Sequence, residues 1–78
     1  MKISEWMAKR ISYLCQEREI SINQLAMDSG LTQSTLNSIM HHESKNPTVV
    51  TLLRICRGLN ITLSEFFANI EDEEFEEI

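Results

Sequence analysis

The residues of this sequence that could do chemistry are not spaced as catalysis requires. No segment pairs a nucleophile with a base, brings two carboxylates into one pocket or forms a glycine-rich loop for phosphate. We therefore expect a protein that is not an enzyme and that needs no cofactor.

Two pairs of potential metal ligands have simpler interpretations. Cys15 and Cys56 lie among apolar residues at helical spacing, which favours buried free thiols over a disulfide, and neither can form a zinc site alone. His41 and His42 would point about 100° apart on a helix. Because the sequence fixes no third ligand, surface positions are favoured for both histidines, and we expect no bound metal.

The stretch best suited to recognition chemistry is residues 22–41, INQLAMDSGLTQSTLNSIMH, in which two short helices flank a turn. Gly30 can take the left-handed conformation that reverses the chain, and Ala26 is small enough to let two helices cross closely. The apolar residues that fill the angle between these helices are Leu25, Leu31, Leu36 and Ile39. The exposed face of the second of these helices is left polar.

An apolar stripe predicts a helix before this pair. Its residues recur at spacings of four, four and three, namely Ile3, Met7, Ile11 and Leu14. This first helix should end near Arg18. Trp6 and Tyr13 flank the stripe, which favours partial burial over a role as stacking platforms for single-stranded nucleic acid.

Four further helices are each preceded by a residue whose hydroxyl oxygen can cap them. These residues are Ser21, Thr32, Thr48 and Thr62. Gln24 follows the first cap by three residues and Glu65 follows the last, which is the capping-box pattern. No segment alternates with period two for long enough to predict a strand. The sequence therefore predicts an all-α fold, a compact bundle of five short helices.

Charge divides the chain into two parts. The 78 residues carry a formal net charge of −5, but residues 71–78 hold six acids and no base, so residues 1–70 hold seven bases and six acids. We expect one helical domain over residues 1–70 and an acidic tail over residues 71–78. The tail can be a disordered, solubilising end. Its Phe75 and Ile78 also suit an extension of the last helix into a partner, or a tail that lies over basic surface.

The apolar segments are too short for a membrane protein. None approaches the roughly 18 residues of a membrane span, and residues 1–14 lack the apolar centre and cleavage site of a signal peptide. We expect a cytoplasmic protein without membrane contact.

Residues 6–68 resemble the Cro and lambda-repressor-like family of helix-turn-helix proteins, also called the Xre family. The shared features are the small Ala26, Gly30 followed by Leu31, the QSTL opening of the third helix, the NPT start of the fourth and the closing LNITLSEFF. The resemblance implies a five-helix bundle whose third helix, about residues 33–40, lies in the major groove of double-stranded DNA. The second helix then crosses the phosphate backbone.

The resemblance also implies roles for individual side chains. Gln33, Ser34 and Ser38 match base-reading positions of the family, and Asn37 is a further candidate on the same face. The side-chain amides of Gln33 and Asn37 suit a two-pronged contact with adenine. The residues expected to contact phosphate are Ser21, Asn23, Thr35, Ser44, Lys45 and Asn46.

Two features depart from the family pattern. Ile22 stands where members often carry Gln, so one phosphate contact is expected to be missing. Cys15 and Met40 stand where many relatives place a buried Arg–Glu ion pair, and replacing both partners avoids leaving one charge stranded in the core. We predict that Cys15 and Met40 pack together.

The implied function is that of a sequence-specific transcriptional regulator of the repressor type. Because the reading face is uncharged, one copy should bind weakly, and we expect a homodimer on a palindromic site. Phe66, Phe67 and Ile70 are candidate interface residues, although some of them must complete the core. A prophage or mobile-element regulator and an antitoxin fit as well as a chromosomal regulator. The alternative is a protein-interaction module that keeps the fold and binds a protein partner through its C-terminal region.

Overall fold

The computed structural model describes residues 1–41 and 46–78, which form five α-helices and a short 3₁₀ turn. The helices are α1 (Ile3–Glu17), α2 (Ile22–Ser29), α3 (Gln33–Met40), α4 (Val49–Leu59) and α5 (Leu63–Phe66), and the 3₁₀ turn covers Ile70–Asp72. Within these residues there is no strand. The predicted all-α fold of five short helices is confirmed.

Hydroxyl caps set the starts of α2, α3, α4 and α5. At each start a side-chain oxygen accepts a hydrogen bond from the backbone N–H three residues later, and the capping residues are Ser21, Thr32, Thr48 and Thr62, as predicted. The cap of α5 is reciprocal, because the Thr62 N–H also donates to the Glu65 carboxylate at 3.1 Å. At α2 the Gln24 side chain instead donates to Asp28 at 2.8 Å.

All five helices contribute to one apolar core. Its fully buried large side chains are Ile11, Leu25, Leu36, Ile55, Leu59 and Phe66. Cys15 and Cys56 are buried in the same core as free thiols, as predicted. Burial raises the pKa of both thiols, because the thiolate would lose its hydration there.

An aromatic cluster joins α1 to α5. The ring of Trp6 stacks on Phe67 with centroids 5.9 Å apart and meets Phe66 edge-on at 6.1 Å. Trp6 is thus a core residue, whereas Tyr13 is 51% exposed and donates a hydrogen bond to Glu17. Phe66 is completely buried and has no surface to offer a partner, which corrects the expectation that it belongs to a dimer interface.

Arg10 of α1 and Arg18, which directly follows α1, bind the C-terminal ends of other helices. Arg18 donates from Nε to the carbonyl oxygen of Leu59 at 2.7 Å, at the end of α4. Arg10 donates to the carbonyl oxygens of Glu65 and Phe66, both at 3.0 Å, at the end of α5. Helix ends carry unpaired carbonyl groups and partial negative charge, so a guanidinium group is a suitable partner for them.

Gly58 of α4 lies directly against the C-terminal part of α2. A Cβ atom at this position would overlap Ser29 Oγ and would lie 3.1 Å from Leu25 Cδ1 and 3.2 Å from the Ser29 backbone nitrogen. The Ser29 hydroxyl is itself buried without a hydrogen-bond partner among the described residues. The absent side chain of Gly58 therefore allows α2 to lie directly on α4.

The acidic tail folds back on the start of α1. The Ile3 N–H lies 3.2 Å from each carboxylate oxygen of Glu77, at a helix start where the Lys2 side chain provides no cap. The Glu76 N–H donates to the Met1 carbonyl oxygen at 3.3 Å, and Phe75 is partly buried against the core. The tail therefore does not extend the last helix, and it contacts the domain.

The described helices include none that could span a membrane. The longest, α1, has 15 residues, and no helix in this part of the chain is both long and apolar enough to cross a bilayer.

The contact at Gly58 predicts a coupled pair of substitutions. Gly58→Ala should lower the free energy of unfolding by about 1–3 kcal/mol because its methyl group overlaps Ser29. Ser29→Ala removes the overlapping oxygen, so the double variant should lose less than Gly58→Ala alone. Thermal unfolding of the wild type, both single variants and the double variant measures this coupling. Additive losses would contradict the proposed contact.

The cap of α5 predicts a dependence of stability on pH. Hydrogen bonds from the Thr62 N–H and hydroxyl hold the pKa of Glu65 below its ordinary value. A lowered folded-state pKa gives stability that is present above about pH 4.3, the unfolded value, and is lost as the pH falls through the folded value. Glu65→Gln should therefore destabilise the protein more at pH 7 than at acidic pH.

Thermal unfolding between neutral and acidic pH measures this difference. The matched control is Glu19→Gln, because the exposed Glu19 side chain lies outside the first turn of every helix. A gap between wild type and Glu65→Gln that stays constant over the whole range would refute the proposed role of the carboxylate.

Candidate nucleic-acid interface

The turn between α2 and α3 has the geometry that the sequence predicts. Gly30 is left-handed with φ of 67°, and its N–H donates to the Met27 carbonyl at 3.2 Å. The next N–H, of Leu31, donates to the Ala26 carbonyl at 2.9 Å. Ala26 is 1% exposed, so its small side chain lies in the interior of the bundle. Helices α2 and α3 form a helix-turn-helix unit.

The outward face of α3 carries the four predicted base-reading residues. Gln33, Ser34 and Asn37 are exposed, and Ser38 is partly buried. Leu36 and Ile39 lie on the opposite face in the core. The structure thus brings these four polar side chains onto one helix surface, where their amide and hydroxyl groups can donate and accept hydrogen bonds.

The predicted phosphate-contacting residues are distributed over the start of α2, the start of α3 and the segment that follows α3. Asn23 is exposed on the first turn of α2. Ser21 uses its oxygen to accept from the Gln24 N–H at 3.0 Å, and Thr35 accepts from the Thr32 hydroxyl at 2.8 Å, so each keeps one hydroxyl proton to donate. Ser44 and Lys45 lie outside the described residues.

A shallow groove of about 320 Å³ connects α3 to the start of α4. It is lined by Thr35, Ser38, Ile39, Asn46, Pro47, Thr48 and Thr51. The groove places Asn46, which is exposed, beside two residues of α3 that the sequence predicts as DNA contacts. Thr48 and Thr51 were not predicted as part of this surface, because their helical spacing indicates only a cap and the first turn of α4.

Electrostatics at this surface come from helix ends rather than from charged side chains. Helix α3 contains no charged residue. The first turns of α2, α3 and α4 contain no acidic residue, whereas those of α1 and α5 contain Glu5 and Glu65. Within their own first turns, the free N–H groups and positive dipole ends of these middle three helices meet no carboxylate, which favours nearby anions.

Metal binding has no support in the described part of the chain. His41 is exposed at the end of α3, and no three metal-ligating side chains come together within residues 1–41 and 46–78. His42 lies outside the described residues.

The two departures from the family pattern have structural counterparts. Ile22 is partly buried and packs against the core, so it offers no polar group at the start of α2. Cys15 is buried, and Met40 packs against the same core cluster. Their direct contact stays a prediction.

Comparisons with known proteins agree with this geometry. The family model of the Cro/C1-type helix-turn-helix DNA-binding domain matches residues 10–72. The chain is 33% identical over 66 residues to the HTH-type transcriptional regulator SutR of Escherichia coli K12, covering 85% of this chain and 36% of that protein. It is 39% identical over 62 residues to the HTH-type transcriptional regulator SlrR of Bacillus subtilis 168, covering 78% and 41%. The chain thus spans less than half the length of these curated relatives.

A solved structure is similar over a larger share of both chains. The crystal structure of the prophage Lp1 protein 11 superposes with a TM-score of 0.79 at 33% sequence identity, covering 87% of this chain and 91% of that chain. The similarity therefore includes most of the five-helix bundle and not only the helix-turn-helix unit.

The hydroxyl cap of α3 leads to a prediction about the stability of the domain. Thr32→Ala removes the oxygen that accepts from the Thr35 N–H, so the variant should lose about 1 kcal/mol of stability, or roughly 4–8 °C in melting temperature. Thermal unfolding followed by circular dichroism measures the loss. Ser34→Ala is the matched control, because Ser34 is exposed and does not cap the helix. Equal melting temperatures for the two variants would show that the cap does not stabilise α3.

Proposed function

The chain belongs to the Cro/C1-type helix-turn-helix DNA-binding domain family, and from this premise we propose that it is a sequence-specific transcriptional regulator of the repressor type. In this proposal α3 lies in the major groove of double-stranded DNA, and α2 crosses the phosphate backbone. The family is one of DNA-binding domains rather than of enzymes.

The observation that carries the proposal is the outward face of α3. Gln33 and Asn37 are exposed on this face and present amide groups that can pair with the N6 and N7 atoms of adenine. Ser34 and Ser38 complete the base-reading set. The surface is polar and uncharged, and the start of α3 has no acidic residue in its first turn, which favours a nearby phosphate group.

Phosphate contacts in this proposal come from short polar side chains and backbone N–H groups. Asn23 and the first turn of α2 face one strand, and Thr35 and Asn46 face the other through the groove between α3 and α4. Ser44 and Lys45 follow α3 in the sequence and are proposed to add to this set. Lys45 would supply the positive charge that α3 itself lacks.

A homodimer on a palindromic site follows from the weak charge of this interface. Phosphate neutralisation by Lys and Arg dominates the affinity of most DNA-binding proteins, and here Arg10 and Arg18 bind helix ends instead. Two linked copies would each read one half-site about one helical turn apart. Phe67 and Ile70 stay candidates for the surface between the copies.

The relatives support a regulatory role. SutR and SlrR are named as transcriptional regulators, and the similar solved structure is of a prophage protein. We propose that the present chain acts in the same class, on double-stranded DNA in the cytoplasm, as a chromosomal or prophage regulator.

DNA selection from a random pool tests the proposal. The purified protein at about 100 mM salt, where phosphate contacts still contribute, should enrich a palindrome. Gln33→Ala combined with Asn37→Ala should abolish the enrichment while the protein stays folded. The matched control is Gln16→Ala with Ser64→Ala, which removes exposed polar groups from α1 and α5 instead.

Three outcomes are informative. A palindrome enriched by the wild type and the control but not by the α3 variant supports reading by α3. A palindrome enriched equally by all three would place the reading surface elsewhere. No enrichment by a folded wild type would favour the alternative of a protein-interaction module with a helix-turn-helix fold.

A further inference from the structure

A groove between the tail and the start of α1 combines apolar walls with negative charge. This acidic groove, of about 450 Å³, has apolar walls that include Ile3, Ile70 and Phe75 and acidic residues Glu71, Glu73 and Glu74. The Glu77 carboxylate holds the tail in this position through the Ile3 N–H. The groove is thus a folded feature of the domain, and a ligand for it needs both apolar surface and positive charge.

The outer face of α4 has the opposite charge and a similar apolar content. Val50, Leu53, Arg54 and Arg57 lie side by side on this exposed helix face. Their spacings of three, one and three residues place them on one side of the helix. Val50 is 61% and Leu53 is 43% exposed, so this face presents apolar surface as well as positive charge. We name this face the basic ridge.

We propose that the basic ridge of one copy docks in the acidic groove of a second copy. Arg54 and Arg57 then pair with the acids of the groove, while Leu53 contacts the apolar wall formed by Ile70 and Phe75. The occupant is a second copy because this chain itself carries the complementary charge and apolar surface. The inference rests on the proposed dimer and names the surfaces that form it.

Reciprocal docking closes the assembly. One ridge-in-groove contact leaves one ridge and one groove unused, whereas a two-fold axis lets each copy use both surfaces. The apolar residues of such a contact provide most of the affinity, and the charges provide the orientation and the choice of partner. This arrangement also gives Ile70 a place in the interface, where the sequence predicts it, while Phe66 stays in the core.

Charge reversal tests the contact without DNA. Arg54→Glu with Arg57→Glu makes the ridge acidic, and Glu71→Lys with Glu74→Lys makes the groove basic. Each double variant alone then opposes like charges in both contacts, so its dimer dissociation constant should rise at least about tenfold. An equimolar mixture restores opposite charges in both contacts and should associate about as tightly as the wild type. Sedimentation equilibrium measures all three samples.

The control for net charge is Glu17→Lys with Glu19→Lys, because neither residue lines the groove or the ridge. This variant should associate like the wild type. Circular dichroism checks that every variant is folded. Raising the salt concentration should weaken the wild-type dimer, since the proposed charge pairs lie at the rim of the contact.

Several results would overturn the inference. These are a wild type that stays monomeric at all concentrations, charge variants that associate normally, or a mixture that fails to recover. If Arg54→Glu with Arg57→Glu weakens DNA binding but not self-association, the arginines contact phosphate instead of a second copy. DNA selection separates this inference from the proposed function: a palindrome enriched by a protein whose charge-reversal mixture does not recover leaves the regulator intact and rejects only these surfaces.

Discussion

The position of the polar face of α3 depends on the close packing of α2 against α4 at Gly58. Helix α2 has eight residues, too few to be stable in isolation, so its packing must fix both its position and its conformation. It buries Leu25, Ala26 and Ser29, and the last of these meets the bare backbone of Gly58. Since α3 follows α2 after a three-residue turn, a displacement of α2 by even one methyl group would be passed on to the face of α3 that meets a ligand.

Two of the seven basic side chains of the chain, Arg10 and Arg18, bind helix ends within the domain. Arg10 and Arg18 satisfy carbonyl groups at the ends of α5 and α4, where they hold the second half of the bundle against α1. Their positive charge therefore interacts with the partial negative charge at the C-terminal ends of these helices. Helices α2 and α3 themselves contain no lysine or arginine, so the groups that they offer to phosphate are backbone N–H groups and small hydroxyl and amide side chains, which position a ligand well but attract it less strongly.

The features that could be predicted from the sequence are those whose causes lie within a few residues. The Thr32 hydroxyl, for example, caps the helix that begins at the next residue by accepting from the N–H three residues later. The spacing of the apolar residues of α3 then determines that Gln33 lies on the exposed face. The features that could not be predicted join distant residues. Arg18 and Leu59 are 41 positions apart, and Ile3 and Glu77 are 74 apart, so no local pattern contains either contact. The role of Gly58 could not be predicted for the same reason. A glycine within a helix can be explained only when the residue that packs against it, here Ser29, is known.

Net charge is a poor guide to the partner of this chain because the acidic side chains that the structure describes lie outside the first turns of α2, α3 and α4. Acidic side chains occupy the first turns of α1 and α5, and Glu77 adds a further carboxylate at the start of α1. The starts of α2, α3 and α4 have none. Carboxylates thus neutralise the positive dipole ends of two helices and leave those of the other three available. A mobile tail with six acids could approach any of these starts, but a tail fixed by Glu77 and Phe75 holds its charge beside α1. This anchoring limits the repulsion between the tail and phosphate. It also fixes the tail residues that line the acidic groove.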